Sequence, residues 1–199
     1  MDRRENRFQE KIFLASSSPR RQQLLREHGY DFEVIAPSEM AECGICSKET
    51  PPELVCRLAM QKAKDVALRF EQGLFLGADT VAECLGTILG KPVNREHARQ
   101  ILQLMRGRVH HVYTGVCLWR RPDDVCSVQV DTTKLRMDEI TDQQIEDYLQ
   151  TGDWEGKAGA FGYQDGLDWV HIIAGSASNV VGLPMELLAR MLANLPRQR

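Results

Sequence analysis

From Pro52 to Phe70 the apolar residues Leu54, Val55, Leu58, Ala59, Ala63, Val66 and Ala67 return every third or fourth position. That is the period of an amphipathic helix, which has one face to bury. Its flanks say what it buries that face against. IFLAS at 12–16 precedes it and LFL at 74–76 follows it, and apolar runs this short, bounded by turn residues, read as buried strands. Between the first strand and the long helix, SSSPRR makes a turn into a helix from Pro19 to His28, with Ser18 placed to cap it and Pro19 suited to its first turn. Gly29 ends that helix, YDFEVIA reads as a second strand, and 37–52 is a polar loop able to fold over a ligand.

The second half continues the alternation. GLFLGADTVAECLGTILGKP reads as a strand, an acidic turn, a further strand piece and a Gly-Lys-Pro turn, and REHARQILQLMRG as a helix with Gly107 beyond its end. HHVYTGVCLWR and VCSVQVDTTKLRM are β-rich and joined by RPDD, a hairpin connection. A mixed sheet therefore follows, rather than a purely parallel one. DEITDQQIEDYLQTG is a helix capped by Thr141, GDWEGKAGAFGYQDG is glycine-rich, and MELLARMLANL closes the chain as a helix. With 43% hydrophobic residues in 199, one α/β domain over 12–199 is expected, preceded by a charged, flexible segment at 1–11.

Composition removes several classes of function. With 25 Lys and Arg against 28 Asp and Glu, the net charge of −3 gives no overall field toward polyanions. No basic stripe interleaved with aromatics appears, so no stable nucleic-acid partner is expected. No apolar run approaches the roughly 20 residues a membrane span needs. Six cysteines are too sparse for a disulfide scaffold and no secretory signal precedes them, which favours a reduced cytoplasmic compartment. Cys43 and Cys46 form CGIC, but without a second such pair or a following helix they read as ordinary loop cysteines. His110 and His111 are strand neighbours pointing to opposite faces, a poor paired metal site.

The remaining polar residues favour an anion site. Arg20 and Arg21 stand at a helix start whose free N–H groups attract negative charge, with Ser16, Ser17 and Ser18 as further donors. Asp79 in GADT, placed at the end of a strand, suits holding a divalent ion or orienting water; its plain alternative is a turn former. Thr80 has two readings as well, hydroxyl recognition or local backbone bonding. Lys62, Lys91 and Lys157 are ordinary surface residues singly, but a polyphosphate site if they converge. The glycines at 156, 159, 162 and 166 fit neither a dinucleotide fingerprint nor a P-loop. Gln164 offers a donor and an acceptor, as reading the edge of uracil or thymine requires, and Phe161 or Tyr163 would stack on a base or fill the core. Ser176, Ser178 and Asn179 would bond a phosphate or satisfy the backbone.

Taken in order, LASSSPRRQQLL, GADTV, LGKP, HHVYTGV, GKAGAFGYQ and GSASNVVGLP resemble the Maf family of nucleoside triphosphate pyrophosphatases, over roughly 12–192. The resemblance implies an elongated α/β fold similar to inosine triphosphate pyrophosphatases, with a cleft between two lobes. It implies hydrolysis between the α and β phosphates, using magnesium or manganese, and a homodimer. It makes Asp79 the catalytic carboxylate and a metal contact, Glu42 a second metal contact, and Arg20, Lys62 and Lys91 phosphate contacts, with Ser16 and Arg21 beside them. Arg20, Thr80 and Gln164 match the branch acting on dTTP and UTP. The alternatives are a pyrophosphatase for 7-methyl-GTP or modified nucleotides, a phosphatase releasing orthophosphate, and a nonenzymatic nucleotide sensor linked to septum formation. The sequence departs from the family at Ser17, where glycine is common, and at AFGYQD, where AYGIQG is common.

Overall fold

A computed structural model describes residues 11–42 and 49–196, with Glu42 described by its backbone alone. The expectations for 1–10, and for Cys43 and Cys46, lie outside the described residues. Seven strands form one mixed sheet: β1 (Ile12–Ala15), β2 (Phe32–Val34), β3 (Gly73–Cys84), β4 (Thr87–Leu89), β5 (Val109–Arg121), β6 (Val125–Met137) and β7 (Val170–Ala174). Their order is β2-β1-β3-β5-β6-β7, with β4 also on β3. β1 is parallel to β2 and β3, and every other pairing is antiparallel. The mixed sheet expected from the RPDD hairpin is present.

Among the described residues six helices pack on it: α1 (Pro19–Glu27), α2 (Pro51–Ala67), α3 (Arg95–Met105), α4 (Asp142–Thr151), α5 (Ala177–Val181) and α6 (Met185–Ala193). The starts of α2, α3 and α4 carry polar caps for orphan N–H groups, whereas Ser18 before α1 and Pro184 before α6 make no side-chain cap bond. Glu53 accepts from the Thr50 backbone N–H at 2.8 Å in front of α2, Asn94 caps α3 through His97 N at 2.8 Å, and Thr141 with Gln144 forms a reciprocal cap on α4. Among the described residues no helix is long and apolar enough to cross a membrane.

α2 covers one sheet face, and its fit depends on two residues without side chains. A Cβ on Gly77 would stand 2.1 Å from the Ala59 carbonyl oxygen, and one on Gly115 would stand 2.3 Å from that of Val55. The helix backbone therefore rests directly on β3 and β5. On the opposite face the apolar residues form two bodies. Leu74, Leu76, Ala78, Val116 and Leu118 pack with α1 and α6. Ala82, Cys84, Val112, Leu135 and Met137 pack with α3, α4 and the glycine-rich segment. Both bodies share the long strands β3 and β5, and between them the same face carries Thr80 and Thr114, which are paired across the sheet. This is the cleft between two lobes.

One local expectation changes, and two elements go beyond those read from the sequence. GADT is not a turn: β3 runs unbroken for 12 residues, and Gly77 serves helix approach rather than chain reversal. Asp79 is thus in mid-strand and not at a strand end. WVHIIA, which carries no clear alternation, supplies the edge strand β7. GSASNVV is not only a turn but the short helix α5. His110 and His111 do face opposite ways, His110 buried edge-on to the Phe161 ring and His111 beside Glu83.

Three outcomes are expected. Gly77→Ala lowers the unfolding free energy by about 1–3 kcal/mol in urea titration, because the backbone above it has no room. Gly90→Ala, where a Cβ meets nothing within 4 Å, stays within about 0.5 kcal/mol of the parent. Burial pushes the His110 pKa down to about 4, whereas the unfolded imidazole titrates near about 6.5. The unfolded state then binds the extra proton, so stability is full above about pH 6.5 and is lost as pH falls toward about 4. His110→Leu should lose less of its urea midpoint across that window than the parent does.

Candidate active site

β1 is shorter than its neighbour, and that mismatch makes the site. Its last residue, Ala15, pairs with Gly77, while β4 begins on the same edge of β3 only at Ala82. Ala78 to Val81 thus have no strand beside them on that edge, a gap of about 13 Å at roughly 3.3 Å per residue. A cavity of about 310 Å3 opens there. Successive strand residues point to opposite faces, so through the gap Asp79, on the α2 side, and Thr80, on the far side, line one cavity. Asp79 therefore stands past the carboxyl end of the parallel strand β1, which is where such sheets present their ligand groups.

The rest of the wall comes from the segments that begin where β1 and β4 end. The turn Ser16–Ser18 and the first turn of α1 form one side, with Ser16, Arg20 and Arg21; Lys91 follows β4 on the other. The glycine-rich segment closes over them with Lys157, Phe161 and Gln164. Two bonds tie this segment down: Gly159 N donates to Gly90 O at 3.1 Å, and the Arg20 guanidinium donates to Gly156 O at 3.2 Å. The sequence candidates Ser16, Arg20, Arg21, Lys62, Asp79, Thr80, Lys91 and Gln164 all line this cavity. Glu42 belongs to a short 3-10 turn at Glu39–Glu42, and its side chain lies outside the described residues.

Asp79 and Lys62 are held as a pair. The Lys62 ammonium, on the α2 turn that covers Gly77, donates to Asp79 Oδ1 at 2.7 Å, with side-chain exposures of 8% and 15%. A charge this enclosed is costly without its partner. Among the described residues Asp79 Oδ2 has no protein partner, so it is the oxygen left to the cavity.

Arg21, buried at 9% exposure, is at the head of a directed chain of hydrogen bonds. It donates to Gly182 O at 2.8 Å, Ser16 Oγ at 3.1 Å and Thr80 Oγ1 at 3.1 Å. Thr114 donates to Asn179 O at 3.0 Å, so the Thr80 hydroxyl spends its proton on Thr114 Oγ1, also at 3.0 Å. Asn179, fully buried, donates onward to Val112 O and to Thr133 Oγ1 at 2.9 Å. Asn179 and Ser176 thus satisfy the interior and the backbone, and neither borders the cavity. Thr114 carried no signal in the sequence: a threonine in a strand is unremarkable until its partners are known.

Among the described residues, five basic ones, Arg20, Arg21, Lys62, Lys91 and Lys157, line the cavity with one acid, Asp79. Lys62 is committed to Asp79 and Lys157 to Asp165. Lys91 is exposed and has no hydrogen bond or ion pair among the described residues. The cavity is therefore electropositive in a chain of net charge −3. The Asp79 carboxylate suits a hard divalent ion of the magnesium type, which takes one or two carboxylates and completes its shell from phosphate oxygens and water. No cluster of three metal-ligating side chains occurs among the described residues.

Replacing Thr114 by valine keeps the shape but leaves the Thr80 hydroxyl and the Asn179 carbonyl unmatched in the interior. The expected loss is about 1–3 kcal/mol by chemical denaturation, with Thr114→Ser close to the parent.

Residues 11–195 match the model of the Maf-like protein family. The dTTP/UTP pyrophosphatase of Rhodopirellula baltica is 58% identical over 186 residues, which cover 93% of this chain and 82% of that protein. The dTTP/UTP pyrophosphatase of Dictyoglomus thermophilum is 40% identical over 189 residues, covering 94% and 97%. Among solved structures, the Staphylococcus aureus Ham1 protein aligns with 65% of this chain and 73% of its own at a TM-score of 0.46 and 16% identity. With a family match spanning nearly its whole length and relatives this similar, the chain belongs to the Maf-like protein family.

Proposed function

We propose that this protein hydrolyses nucleoside triphosphates, UTP and dTTP foremost, to the monophosphate and pyrophosphate. The observation that carries the reading is a carboxylate, fixed by Lys62, that shares a cavity with Arg20, Arg21, Lys91 and Lys157 at the gap in the sheet edge. The names of the relatives at 58% and 40% identity support the substrate class.

The start of α1, with Ser16 and Arg20, receives phosphate oxygens on backbone N–H groups, a hydroxyl and a guanidinium. Lys91 faces them from the far wall and holds the departing pyrophosphate. Asp79 Oδ2 takes the proton of the water that attacks the α phosphorus, while Lys62 keeps the carboxylate in one orientation. A magnesium or manganese ion, when bound by Asp79 and Glu42, neutralises charge on the reacting phosphate. Gln164 pairs its amide with the carbonyl and imide N–H of uracil or thymine. Thr80, its proton committed to Thr114, presents an oxygen that accepts. Arg21 acts from behind, fixing Thr80 and Ser16.

Asp79→Asn is expected to fold, as judged by circular dichroism, and to lose pyrophosphate release; near-normal turnover by the folded variant rejects the role given to Asp79. Chelation by EDTA should stop the reaction, and added magnesium or manganese should restore it. In a nucleotide panel, UTP and dTTP should have the highest kcat/KM with pyrophosphate as product. Orthophosphate alone would mean a phosphatase instead.

A further inference from the structure

Away from the cavity, under the opposite surface of α2, β5 and β6 bring two thiols together. Cys117 and Cys126 are free, and their Sγ atoms are 3.8 Å apart. Cys117 pairs across the sheet with Val128, and Cys126 pairs with Trp119. The two cysteines are therefore diagonal neighbours on the face that α2 covers. Their surroundings differ. Cys117 is fully buried against Ala59 and Ala63, whereas Cys126 is exposed. The Lys64 ammonium stands 5.9 Å from the ring centre of Trp119, the residue directly opposite Cys126.

From this geometry we infer that Cys126 and Cys117 form an oxidisable pair, in which a hydroperoxide attacks at Cys126 and Cys117 closes a reversible cross-strand disulfide. The solvent-facing sulfur is the one that can carry negative charge, and the Cys117 S–H beside it lowers the Cys126 pKa by donating to it, while Cys117 itself is held protonated. In the first step the Cys126 thiolate forms an S–O bond as the peroxide O–O bond breaks. The sulfur is oxidised to a sulfenic acid, and the released oxygen leaves as water or alcohol after taking a proton. In the second step the Cys117 sulfur attacks that of Cys126. The S–S bond forms, the S–O bond breaks, and the hydroxide leaves as water with the Cys117 proton.

Geometry also sets the reversibility. Diagonal neighbours in a sheet lie about 7–8 Å apart, near or past the roughly 4.4–6.8 Å separation of most bridged Cα atoms. A bond closed here is under strain and easily reduced, so the pair suits a reversible modification rather than a permanent staple.

The full chain is treated with hydrogen peroxide, its remaining thiols are alkylated, and it is cut with trypsin without reduction. Cleavage after Arg108, Arg120 and Lys134 puts Cys117 and Cys126 on separate peptides, 109–120 and 121–134. The expected product is these two peptides joined, two hydrogen atoms lighter than their sum and released by dithiothreitol. Cys126→Ser, at an exposed position, should abolish the link. In folded Cys117→Ala the reaction should stop at a Cys126 sulfenic acid captured by dimedone. Recovery of both peptides fully alkylated after peroxide, or a bond from Cys117 to Cys56 in place of Cys126, overturns the inference.

Discussion

Direct contact between the α2 backbone and the sheet is what the rest of this structure depends on. Where a strand residue ordinarily holds a helix at side-chain distance, Gly77 and Gly115 let the helix down onto β3 and β5. That drop puts Lys62, one turn along from Ala59, within 2.7 Å of Asp79, two residues along from Gly77. A side chain on either glycine would lift the helix and separate the pair. Since a buried carboxylate without its counter-charge is worse than none, the packing and the electrostatics here stand or fall together.

The second organising element is polar. On the face away from α2, Thr80 and Thr114 interrupt what would otherwise be one continuous apolar surface, and the two bodies on either side are each closed by their own helices. Hydroxyls inside a protein are tolerated only when paired. Arg21, Asn179 and Thr133 supply the pairing, with each proton assigned one direction. The seam reaches the surface at the cavity, which Thr80 lines.

Much of this was legible in advance because the signals were local. The helix period from Pro52 to Phe70, the strand IFLA with its serine and proline turn, and the cap at Thr141 each need only a few neighbouring residues to be read; Ser18 precedes α1 as expected but makes no side-chain cap bond. Asp79 was harder. Its flanking Gly77 reads equally as a turn former or as a site of close approach, and only the position of α2 decides. Arg21 presented a related difficulty: sequence gives it the same promise as Arg20, and its bonds to Thr80 and Ser16 as it lines the cavity appear only in the fold. β7 was missed because an edge strand with an irregular register to β6 leaves no alternation to detect. Thr114 and Asn179 matter through partners more than sixty residues away, which no window along the chain contains.

β3 and β5 run through both lobes as strands of 12 and 13 residues. The halves of the cleft are thus not plates joined by a flexible strap. Any narrowing around a bound molecule has to be taken up as torsion spread along those strands, with the ladder intact, so the cleft behaves as a stiff spring with little travel. A grip of that kind returns its walls to the same spacing after each release.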